Sequence, residues 1–69
     1  MRNTTKLKAI LLKYVITLDM DDDNNFTMIL TDKVNGNAFS VEANNYSSVI
    51  SKAYSLLLKE LKKEENSGF

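Results

Sequence analysis

Sixty-nine residues leave room for one domain, and nine Lys and Arg against nine Asp and Glu give a formal net charge of zero. The chain has no Cys, His, Trp or Pro, which excludes a disulfide framework, thiolate and histidine-based nucleophilic chemistry, and the common zinc ligand sets. A chain of this length buries only about 60% of the surface its unfolded form exposes, so a second copy or a bound partner is the expected support for its core.

The zero net charge conceals a segregation along the chain. Residues 1–13 hold Arg2, Lys6, Lys8 and Lys13 without an acid, residues 14–45 hold six acids against Lys33, and residues 46–69 carry four lysines and three glutamates. We read 1–11 as a basic amino-terminal arm, 12–63 as the folded domain and 64–69 as a flexible tail. In the arm Lys6, Lys8, Ile10 and Leu12 alternate as an extended segment would, and an extended arm feeding the first strand is the preferred reading. Leu7, Ile10, Leu11 and Tyr14 also fit helical spacing behind Thr4 or Thr5 as cap.

Period-two alternation then predicts strands near 12–20, 25–33 and 37–43. Leu12, Tyr14, Ile16 and Leu18 share one face of the first, Phe26, Met28 and Leu30 one face of the second, and Phe39 and Val41 one face of the third. A loop centred on Asp22 would set Leu18 opposite Phe26 and Tyr14 opposite Leu30. The pair Asn35-Gly36, suited to a two-residue type I′ turn, would set Leu30 opposite Val41. Behind Asn44 or Asn45 as cap, the period changes to that of a helix near 45–63, whose stripe is Tyr46, Ile50, Ala53, Leu57 and Leu61. The full apolar set, with Val49, Tyr54, Leu56 and Leu58, spans an arc of roughly 200°, about twice what packing on one sheet face needs, so either the sheet curls around the helix or a second surface covers one flank. The expected fold is α+β, a three-stranded antiparallel meander with one carboxy-terminal helix on one face, βββα.

A meander beginning at Lys13-Tyr14-Val15, an acidic tight turn at Asp21-Asp22-Asp23, a third strand and a helix ending in Leu58-Lys59-Glu60-Leu61 resembles the HicB-like antitoxin fold, a truncated ribonuclease-H-like unit, over residues 12–63. The resemblance implies a protein partner. It implies no operator binding, because the DNA-binding domain that many such antitoxins carry has no counterpart here. With a helical amino terminus the order αβββα would instead resemble a double-stranded-RNA-binding domain, whose helix-start lysine cluster would fall at Tyr46-Ser47-Ser48, where no lysine stands.

Asp19, Asp21, Asp23 and Asn25 reproduce the alternate-residue spacing of a calcium loop, but the glycine position is Asn24 and the bidentate glutamate position is Leu30. We therefore read a solvated acidic hairpin loop and expect no metal and no cofactor. Arg2, Lys6, Lys8 and Lys13 are the candidate phosphate contacts of a nucleic-acid binder. Tyr54 and Leu58, at the edge of the helix's apolar arc, are the candidate partner-binding residues. Met20 and Met28 are read as packing residues. The leading expectation is a non-enzymatic protein-binding module, antitoxin-like or an inhibitor of a host enzyme or defence complex, whose Asn- and Lys-rich composition suits a phage or mobile-element product. The alternative is nucleic-acid binding through the basic arm. The apolar runs 9–12 and 56–58 are far shorter than the roughly 18 residues of a membrane span, so a cytoplasmic protein is expected, as a homodimer.

Overall fold

The computed structural model describes residues 2–66. Asn3–Lys13 form helix α1, Tyr14–Met20, Phe26–Asp32 and Ala38–Ala43 form strands β1, β2 and β3, and Tyr46–Asn66 form helix α2. The strands make one antiparallel sheet in the order β1-β2-β3. The α+β class and the meander stand, but the element order is αβββα rather than βββα. The segment read as an extended arm is a helix, and the first strand starts at Tyr14 rather than at residue 12.

The reason is tertiary. Arg2 stands extended before α1 without a side-chain cap, and the first turn has no acid, so the local start signals of a helix are missing. Burial supplies what the caps do not: Ile10 and the following Tyr14 are fully buried, and Leu7 and Ala9 pack against the same cluster. The Asn3 side-chain amide donates to Ser47 Oγ at 2.9 Å and Lys6 Nζ donates to Ser51 Oγ at 3.2 Å. Because the two contacts advance together along both helices, α1 and α2 run side by side in the same direction.

This accounts for the wide apolar arc of α2. Val49, Ile50, Ala53 and Leu57 are buried in the core with Met28 and Leu30 of the sheet. The adjoining flank, which carries Ser47 and Ser51, is taken by α1, so the second surface is part of the same chain. Tyr46 and Leu61, placed in the stripe by spacing, are half-exposed at its two ends. Asn45 is the cap, its Oδ1 accepting the Ser48 amide at 2.8 Å. The helix passes the expected end at 63 and continues to Asn66. The remainder of the predicted tail, 67–69, lies outside the described residues.

Both strand registers differ from expectation by two residues. Leu18 faces Met28 rather than Phe26, Tyr14 faces Asp32 rather than Leu30, and Leu30 faces Phe39 rather than Val41. A slip of two keeps every side chain on its face, so the apolar faces still coincide. Tyr14, Ile16, Met28, Leu30, Phe39 and Val41 lie under the helices, and Tyr14 meets Phe39 edge to face at 6.2 Å between ring centroids. The reverse face, with Val15, Thr17, Ile29, Ala38 and Ser40, is exposed. Met28 packs in the core as expected, whereas Met20 at the end of β1 is exposed.

Candidate functional site

The basic residues of the amino-terminal segment do not form a row. Lys13 is ion-paired with the buried Asp32 at 3.1 Å, and Lys6 is held on Ser51, while Arg2 and Lys8 are exposed. Lys8 falls on the opposite side of α1 from Lys6 and Lys13 at about 100° per residue. Phosphate tracking would need these cations aligned on one surface.

The two ends of the molecule differ in chemistry. At one end Asp22, Asp23 and Asn24 form a three-residue hairpin loop, with Asn24 at φ 64° in the left-handed position that Asn tolerates. Asp21 closes it: Oδ1 accepts the amides of Asp23 at 2.9 Å and Asn25 at 3.0 Å. The Asn25 amide, first among these donors, holds the Asp21 carboxyl below the usual carboxylate range. The other candidate calcium ligands do not converge with it. Asp19 lies within β1 and accepts the neighbouring Met20 amide at 2.9 Å. Among the described residues no group of three or more His, Cys, Asp or Glu is placed to hold a metal ion. The same end carries the start of α2, where Asp21, Asn25, Glu42, Asn44 and Ser48 line a polar hollow. The position of a lysine cluster in a double-stranded-RNA-binding domain thus has Asp21 and Glu42 for neighbours beside a single lysine, Lys52.

At the other end the helices' later turns meet the β2–β3 loop. Lys33 Nζ donates to the Leu11 carbonyl at 2.6 Å and the Lys33 amide donates to the Lys13 carbonyl at 3.1 Å, fastening the loop to the end of α1. Asp32 fixes the loop from beneath, accepting the amides of Val34 at 2.7 Å and Asn35 at 3.2 Å. Those amides, and after them Lys13, hold the Asp32 carboxyl below its ordinary value. Between these elements Ala9, Leu12, Val34, Leu57 and Leu61, with Lys13 and Lys33, line a groove of about 420 Å³. Leu12 is 83% exposed and Val34 93% exposed, so the groove is open and apolar.

Protein-family models, curated proteins and solved structures were compared with the chain, and none matches. Of the two residues assigned to a partner from spacing, Tyr54 packs against the core and Leu58 is half-exposed, one helical turn before Leu61 at the groove. Leu12 and Val34 were not legible as site residues: Leu12 fits the period of a strand, and Val34 is an isolated apolar residue beside a turn. The available signal was Leu12 falling outside the Leu7, Ile10 and Tyr14 stripe once those residues are taken as helical. Among the described residues no helix is long and apolar enough to cross a membrane.

Proposed function

We propose that the chain is a small non-enzymatic protein-binding module, an antitoxin-like or inhibitory factor of the cytoplasm, that takes its partner in the groove between the helix ends and the β2–β3 loop. The observation that carries this reading is the groove itself, where Leu12 of α1 and Val34, on a loop pinned by Asp32 and Lys33, stand almost fully exposed beside Leu61 of α2. Large apolar side chains gathered on a rigid surface lose water without ordering cost when a partner covers them. Lys33 beside the apolar floor favours a partner segment that pairs apolar side chains with acidic ones, the charge of Lys13 being balanced by Asp32. The lack of His and Cys removes Ser–His and Cys–His catalysis, in keeping with a role in covering another protein's working surface.

The test is affinity capture from the native cell with the whole chain and with a Leu12→Ser, Val34→Ser variant. The variant should fold, with stability within about 0.5 kcal/mol because both residues are at the surface, and should lose the captured protein. A gel shift on duplex RNA or DNA with a steep salt slope would instead establish the nucleic-acid reading, for which the αβββα order alone speaks.

A further inference from the structure

The outer edge of β1 is an open pairing edge. The Asp21 amide donates to the Asn25 carbonyl at 3.0 Å and the Lys33 amide donates to the Lys13 carbonyl at 3.1 Å, so the odd-numbered positions of β1 bond across to β2. In an antiparallel ladder the alternate residues then direct their amides and carbonyls outward, which places those of Ile16 and Leu18 on the free edge. The side chains at this edge are also incompletely covered. Leu18 is 43% and Met20 52% exposed, although both belong to the helix-covered face. No proline, bulge or lysine protects the middle of the strand. At the opposite edge of the sheet, one outward carbonyl of β3, that of Glu42, accepts Lys52 Nζ at 2.6 Å.

We propose that β1 pairs antiparallel with β1 of a second copy about a two-fold axis at Thr17, joining the two sheets into one of six strands. In this register Ile16 of each copy exchanges backbone hydrogen bonds with Leu18 of the other, and Met20 lies beside Tyr14 of the other copy on the helix-covered face. Charge selects the occupant. The two-fold brings the acidic loop Asp21-Asp22-Asp23 of one copy alongside the end of the other that carries Lys33 and the Lys13–Asp32 ion pair, twice over, whereas a parallel arrangement would set acidic loop against acidic loop. Lys13 and Lys33 also line the groove, whereas Thr17 and Leu18 do not.

The chain has no cysteine, so a single introduced one reports the register. Thr17 meets its own copy as a non-hydrogen-bonded pair with Cα atoms about 4.5 Å apart, within disulfide reach. Thr17→Cys should form a covalent dimer under mild oxidation, and Ser40→Cys on β3 should not. Sedimentation equilibrium of the unmodified chain should show a dimer that weakens as salt is raised. Leu18→Pro, which removes an outward amide and leaves the β2 ladder intact, should raise the dimer dissociation constant at least tenfold with an unchanged circular dichroism spectrum. A monomer at high micromolar concentration, or a dimer in which Ser40→Cys cross-links and Thr17→Cys does not, would overturn the assignment. Should Leu18→Pro fail to fold, the cysteine pair and the salt dependence decide it alone.

Discussion

Asp32 decides the second hairpin. The Asn35-Gly36 pair points to a two-residue turn, yet the Asp32 carboxylate gathers the amides of Val34 and Asn35, the Asp32 amide donates to the Asn37 carbonyl at 2.8 Å, and the loop closes around four residues instead. Gly36 still provides a left-handed position, at φ 76°, with its amide on the Asp32 carbonyl at 3.0 Å. An added Cβ at Gly36 would meet open space, so Gly36→Ala should cost about 1 kcal/mol from backbone strain alone, read from chemical denaturation. The depression of the Asp32 carboxyl on folding has a definite sign for stability. A carboxyl whose value is depressed on folding stabilises the native state above the unfolded value near 3.8 and loses that contribution as pH falls through the folded value. The melting temperature should therefore hold from neutral pH down to about 5 and fall below about 4. Asp21 adds to this slope in the same direction, and Asp32→Asn should make the fall shallower in melts taken across that range.

At the scale of elements, the strands and α2 were legible because each carries its own period, and a two-residue register error leaves the faces intact. The same tolerance explains why the turn positions were not legible: alternation fixes which face a side chain takes, and only turn chemistry fixes its partner. Helix α1 was not legible for a different reason. Its covering surface, the Ser47 and Ser51 flank of α2, is distant in sequence, and Ile10 and Leu12 serve a strand period as well as Ile10 and Tyr14 serve a helical one. The distinction has measurable content. Ile10, fully buried, should cost about 2–5 kcal/mol on change to Ala, whereas Leu12→Ala should cost less than about 0.5 kcal/mol. An extended arm would show small effects at both positions. The flank residue Tyr54 packs against the core, so Tyr54→Ala should destabilise the fold, while Leu58→Ser should leave it near its original stability.

For the whole molecule, the charge segregation along the sequence becomes a segregation in space. The acidic stretch folds into a hairpin loop beside the start of α2, and Lys13 and Lys33 gather with the exposed leucines at the opposite end. The two-ended character was legible in the charge sums, but the groove was not, because it is assembled from a helix end, a loop and a later helix. The acidic end should attract cations without ordering them. Asp21 spends one carboxylate oxygen on two backbone amides, Asp19 turns to its neighbour's amide within a strand, and Asp22 and Asp23 are exposed. A hard cation of calcium's size needs six to eight oxygens about it, and here it would have to break the hydrogen bonds that close the loop. Stabilisation by a ligand follows the logarithm of its concentration over its dissociation constant, so an ion held only by diffuse attraction adds little at millimolar levels. Millimolar Ca²⁺ or Mg²⁺ should shift the melting temperature by less than about 1 °C, in a matched ionic strength of NaCl. A rise of several degrees with calcium alone would mean that the loop reorganises to bring Asp19, Asp21 and Asp23 together, and would make the acidic end a site in its own right.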